Sequence, residues 1–239
     1  MCTTCQATPL VRRDMLKLLA AGLAAGGAAG LAGPAVAAAA DATALTPDEA
    51  IAALKAGNQR FVDDPELCTL KLAEQRKGVS GHQAPWATVI GCADSRVPPE
   101  LVFGGHGLGE LFVARNAGNL VDTATMGTVE YGAAVLGSPL IVVLAHTSCG
   151  AVSAACKVVE DNATFPGSIG PMINPILPAA ISARGEPGDY VDNAAKASAM
   201  RTAEQLTTAS HVIGDLAAAG KLKVVAAIYD LETGVVSWL

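Results

Sequence analysis

Three residues of this chain carry donors of the kind soft and borderline metals take. Cys92 lies in Gly91-Cys92-Ala93-Asp94-Ser95-Arg96, and His146 and Cys149 lie in His146-Thr147-Ser148-Cys149-Gly150. Two thiols and an imidazole suit zinc, and three protein ligands leave a fourth position open to water or substrate. A closed structural site would offer four ligands in two close pairs, and neither motif has a fourth Cys or His beside it. Asp94 and Arg96 give the site its catalytic cast. Side chains two apart on an extended segment point the same way, so the guanidinium can hold the carboxylate in bidentate fashion. Taken alone, such a pair is an ordinary surface ion pair. Beside a metal ligand, Asp94 can accept a proton or hydrogen bond from water at the metal, while Arg96 orients it and keeps it ionised.

These motifs need a scaffold that brings them together. Each follows a short apolar run bounded by Pro or Gly, residues 87–91 (ATVIG) and 140–145 (LIVVLA), which reads as a buried strand. Ligands collect at the carboxyl ends of strands in open α/β sheets. Ser148 is expected to cap a helix to about Val159, whose N-terminal dipole would favour a thiolate on Cys149. Residues 110–115 and 222–228 read as two further strands, and 235–239 as a last one after the turn at Glu232-Thr233-Gly234. Thr46-Pro47-Asp48-Glu49 is a capping box opening a helix to about Phe61 or Val62. Helices are also expected over 70–77, 122–136 and, as one long piece, 189–219. Residues 162–178 read as an irregular insertion with a short helix to Ala183. This order predicts an α/β fold: a mostly parallel central sheet of about four strands with an antiparallel edge strand, helices on both faces.

Of the 239 residues, 51% are hydrophobic and the net charge is −6, with no basic run in the body of the chain, so nothing points to nucleic acid. Six irregularly spaced cysteines do not make a disulfide framework at this length. Cys68 and Cys156 read as core thiols. Residues 1–40 stand apart. Arg12-Arg13 and Lys17 precede an Ala/Gly/Leu tract, and Ala35-Val36-Ala37 offers a cleavage site, together the marks of an export signal of twin-arginine type. The expectation is a signal over 1–40 and a single domain over 41–239, exported to the periplasm or beyond, and tethered to the membrane where the signal stays uncleaved. Cys2 and Cys5 form a CxxC that a cleaved signal would discard.

Gly91-Cys-Ala-Asp-Ser-Arg96, Glu110-Leu-Phe-Val-Ala-Arg-Asn-Ala-Gly-Asn119, Glu130-Tyr131 and His146-Thr-Ser-Cys-Gly150 resemble the β-class carbonic anhydrases in order and spacing, and the resemblance runs from about Thr46 to Leu239. It implies zinc on Cys92, His146 and Cys149, the Asp94–Arg96 pair beside it, and Gln83 as a substrate-pocket residue. The implied reaction is reversible hydration of carbon dioxide to bicarbonate and a proton, driven by water whose pKa the metal lowers to roughly 7. It also implies a homodimer or higher homo-oligomer, with the pocket partly built by the partner subunit. In some members the counterpart of Asp94 swings onto zinc as a fourth ligand and blocks it. Val89 stands where many bicarbonate-regulated members carry Trp, so regulation of that kind is not implied. Gly118 stands where the family often has Ala, a small packing change on sequence grounds. His106, in a glycine-rich turn, is a candidate proton shuttle or a solvated loop histidine. The alternative on the same scaffold is hydrolysis of carbonyl sulfide or carbon disulfide; a non-catalytic zinc-binding protein is the third reading.

Overall fold

The computed structural model describes residues 42–64 and 72–239. The expected export signal, Cys2, Cys5 and Cys68 lie outside these residues. Thr46 caps α1 (Pro47–Asp63) as the capping box requires: Glu49 N donates to Thr46 Oγ1 and Thr46 N donates to Glu49 Oε2, at 3.3 and 2.8 Å. After α2 (Leu72–Gly78), the chain enters β1 (Ala87–Cys92), α3 (Pro99–Val102), β2 (Leu111–Asn116), α4 (Thr123–Glu130), β3 (Leu140–His146) and α5 (Gly150–Asp161). Then come α6 (Ile169–Ile173), α7 (Leu177–Ala183), α8 (Tyr190–Ala209), α9 (His211–Ala218), β4 (Lys223–Tyr229) and β5 (Val236–Trp238).

The sheet runs β2-β1-β3-β4-β5. Its first four strands are parallel and β5 pairs antiparallel to β4. Strand β3 is buried along its whole length, and successive side chains serve opposite faces. Ile141, Val143 and Ala145 pack with α5, α7 and α8, while Leu140, Val142 and Leu144 pack with Ala50 and Leu54 of α1 and with Phe103. Helices thus cover both faces, which is why the strands read as unbroken apolar runs. β1 pairs Gly91 with Leu144. Continuing that register sets Cys92 beside Ala145, one residue short of His146, so the two ligand-bearing strands end side by side.

Several boundaries differ from those the sequence suggests. The helix expected over 189–219 is two. Ser210 is extended (φ −106°, ψ 116°), its hydroxyl accepts from Ile213 N to cap α9, and it donates to Glu130 Oε1 at 2.6 Å. Helical periodicity runs through such a break, because only the cap residue changes conformation. The helix expected over 122–136 ends at Glu130 and continues as a π-turn over Tyr131–Val135. There a Cβ on Gly132 would lie 2.8 Å from Thr88 Oγ1 and 2.9 Å from Phe112, so the turn lies hard against the sheet. The stretch 162–178, expected to be irregular, holds α6, a 3₁₀ turn and the first two residues of α7, which runs to Ala183 as expected. No helix among the described residues is long and apolar enough to cross a membrane.

Candidate metal centre

The ends of β1 and β3 and the start of α5 bring Cys92, His146 and Cys149 into one buried cluster whose donor atoms all lie within 4.8 Å of one another. The two sulfurs are 3.9 Å apart. Two thiolates about 2.3 Å from a tetrahedral ion would be separated by roughly 3.8 Å. His146 is fully buried, and its Nδ1 lies 2.8 Å from the Thr147 carbonyl. A carbonyl only accepts, so Nδ1 carries the proton and Nε2 presents its lone pair. That Nε2 is buried without a partner. Buried polar atoms are ordinarily satisfied, and a cation held by two sulfurs and this nitrogen is what the donor set fits.

Ser148 does not cap α5. It sits at φ 53°, and Cys149 occupies the cap position with no side-chain cap bond. The thiol acidities also depart from the sequence reading. The hydrogen bond from Cys149 draws Cys92 down to about 4, helped against burial by the Gly118 N–H, which lies 3.4 Å from its sulfur. Cys149 is pushed up because it donates to Cys92 and lies buried beside that charge. The N–H groups of Ala151 and Val152 at the helix start pull it down, but less. The pair therefore shares one proton, which a bound cation would displace.

Asp94 and Arg96 do form a bidentate pair, though on a turn and not on an extended segment. Val97 N bonds Asp94 O at 3.1 Å, and Arg96 N, Nε and Nη2 reach the carboxylate at 3.0, 2.9 and 2.7 Å. These bonds, above all that of the Arg96 side chain, hold the Asp94 carboxyl well below the usual carboxylate range. Asp94 Oδ2 is 3.9 Å from His146 Nε2, yet its carboxylate stays outside the three-ligand set. The three ligands are buried, while the side chains of Asp94 and Arg96 are 16% and 55% exposed. They mark the solvent side of the site.

Two residues that sequence reading gave no role support this arrangement. Arg115, on β2 opposite Gly91, donates to the backbone carbonyls of Cys92 (2.8 Å) and Asp94. Asp192 accepts from Ser148 N at 2.9 Å. Parallel register would have found Arg115, whereas nothing in the sequence pairs α8 with the 146–149 turn.

Gln83 is not brought to the cluster. It precedes the six-residue β1 whose far end bears Cys92. At about 3.3 Å per residue the strand alone spans roughly 16 Å. Gln83 lines instead an open cavity of about 560 Å³ with Val79, His82 and Tyr131. His106 is neither solvated nor placed among the metal donors. Its side chain is 12% exposed, its Nδ1 meets Glu110 Oε2 at 3.0 Å, and its ring stands edge-on to Trp86 at 4.8 Å. Cys156 is buried in the core as expected.

A family model described as carbonic anhydrase matches residues 87–236, a span that contains all three donors and the Asp94–Arg96 pair. The chain belongs to the β-class carbonic anhydrases. It is 37% identical over 188 residues to carbonic anhydrase 2 of Mycobacterium tuberculosis, covering 79% of this chain and 90% of that protein. The fold matches a Coccomyxa β-carbonic anhydrase, solved in complex with acetazolamide, at a TM-score of 0.60 and 27% identity, over 82% of this chain and 87% of that one. A tetrameric β-carbonic anhydrase of Sordaria macrospora shares the fold at a TM-score of 0.62 and 24% identity, over 80% and 95% of the two chains. The five-stranded sheet is thus the β-carbonic anhydrase sheet, and the enzyme class is carbonic anhydrase.

Proposed function

We propose that Cys92, His146 and Cys149 hold zinc and that the enzyme catalyses reversible hydration of carbon dioxide to bicarbonate and a proton. The observation that carries this reading is the buried S₂N donor set, its His146 Nε2 otherwise unpartnered, beside an ionised carboxylate at the solvent-facing mouth. Zinc, when bound, supplies the Lewis acidity that makes water a nucleophile near neutral pH.

The chain's own residues do the rest. His146 keeps its proton on Nδ1 against Thr147 O, so Nε2 remains a donor. Arg96 occupies both oxygens of Asp94 and keeps it ionised, so the carboxylate can orient a water or take its proton without itself drifting onto the metal. Metal content together with carbon dioxide hydration, measured on the same sample, tests the reading.

Gln83 serves the site of a partner subunit in a homodimer or higher homo-oligomer. Its position at the opposite end of β1 from Cys92 supports this, as does the tetramer named for the Sordaria protein. Export through residues 1–40 rests on Arg12-Arg13, the Ala/Gly-rich tract and the Ala35-Val36-Ala37 cleavage option.

A further inference from the structure

The peptide that joins Thr147 to Ser148 is bonded on both sides. Its carbonyl accepts from His146 Nδ1 at 2.8 Å, and its N–H donates to Asp192 Oδ1 at 2.9 Å. A peptide unit is planar and stiff. Whatever fixes the N–H therefore fixes the direction of the carbonyl, and the carbonyl fixes the imidazole ring.

Asp192 belongs to the first turn of α8, where its own N–H is held by the cap residue Asp189 at 2.9 Å. The carboxylate thus projects from an anchored position. On the other side the turn is held by the sheet: Thr147 N donates to Tyr229 O at 2.9 Å and Leu231 N donates to Thr147 Oγ1 at 3.0 Å. Those bonds fix Thr147. Ser148 itself sits at φ 53°, which a non-glycine residue keeps only when its surroundings impose it. The bond to Asp192 holds this residue, immediately before the ligand Cys149.

We propose that Asp192 is a positioning residue of the metal site, acting on His146 through the Thr147–Ser148 peptide and on Cys149 through the turn it holds. Metal-bound histidines commonly give their second N–H to a carboxylate or a carbonyl. Here both are used in series, carboxylate to peptide to imidazole, and bonds in such a chain polarise one another. The result is a more basic Nε2 in a fixed direction. The inference rests on the zinc reading above.

The test is zinc loss to a competing chelator from the full-length, zinc-loaded protein, with the absorption spectrum of the cobalt-substituted form as a second readout. Asp192→Ala is expected to release zinc about tenfold faster or more and to shift the cobalt bands. Asp192→Asn keeps Oδ1 as an acceptor and loses only the charge, so it should stay within about threefold of the parent and keep its spectrum. If the alanine variant does not fold, Asp192→Ser, whose hydroxyl falls short of Ser148, takes its place. An alanine or serine variant that keeps the parental release rate and spectrum would overturn the proposal, as would an asparagine variant no better than alanine. A parent that takes up no zinc at all would instead bring down the zinc reading.

Discussion

The oxygen of Asp94 that lies 3.9 Å from His146 Nε2 is the one that receives Arg96 Nη2 at 2.7 Å. One carboxylate oxygen therefore faces the metal donors and the guanidinium together. Changing Asp94 to Asn removes the proton acceptor and leaves the three donors in place. The expected result is a fall in carbon dioxide hydration of about 100-fold or more, with zinc content still near that of the parent. A non-catalytic zinc protein would keep its function in this variant. Metal analysis and stopped-flow hydration on the same preparation separate the two.

Cys149 occupies the cap position of α5 without capping it. Cys149→Ser should improve that helix end, since serine caps well, while removing a thiolate from the donor set. Zinc affinity is expected to drop by more than about 100-fold, beyond what an outer-shell change costs. Thermal stability of the metal-free variant should match or exceed that of the metal-free parent. Calorimetry with and without zinc reads both effects.

Gly118 sits at φ 83°, and a Cβ there would lie 2.9 Å from Ile176 Cδ1 and 3.3 Å from Ala151 Cβ. The small packing change that sequence suggests for this position is, in this chain, both strain and a close contact. Gly118→Ala should destabilise by about 1–3 kcal/mol and should also disturb the N–H that points at Cys92 Sγ. Urea denaturation measures the first effect, and zinc release to a chelator the second.

Burial pushes the His106 pKa down, against the opposing pull of Glu110. A histidine whose folded pKa is depressed adds stability that is fully present above its unfolded value, near 6.5, and that is lost as pH falls from there through the folded pKa. Folding free energy should therefore decline below about pH 6.5. In His106→Gln that part of the decline should disappear. Carbon dioxide hydration in His106→Gln should follow the parent at neutral pH, because the ring is sequestered against Trp86.

A shared pocket has a distinctive genetic signature. If Gln83 serves the partner's site, Gln83→Ala and Asp94→Asn chains, each impaired alone, should regain activity when co-assembled. The Gln83→Ala subunit then keeps its own Asp94 and borrows glutamine from its neighbour. If Gln83 served its own chain, every site in the mixture would lack one group and no recovery would occur.

The chemistry was the most legible part of the sequence. The donors Cys92, His146 and Cys149 announce themselves by type and spacing, and the parallel strands that carry them are apolar because both faces are covered. What escaped was set by contacts between distant segments. The Ser210 break depends on Glu130, the role of Arg115 on the β1–β2 register, and the hold of Asp192 on Ser148 on where α8 packs. His106 looked solvated because glycines surround it. One of those glycines allows a close approach instead: a Cβ on Gly104 would lie 2.3 Å from Gly57 O in α1. Glycine marks freedom and tight contact alike, and only the fold tells which.

The most direct test of the central claim is the rate of carbon dioxide hydration by protein carrying one zinc per chain, with carbonyl sulfide turnover measured alongside and Asp94→Asn as the reference. Hydration that rises in proportion to zinc content and collapses in the variant, with carbonyl sulfide turned over far more slowly, is the expected result. Fully zinc-loaded protein that hydrates carbon dioxide no faster than the Asp94→Asn variant, or that acts on carbonyl sulfide in preference, would contradict it.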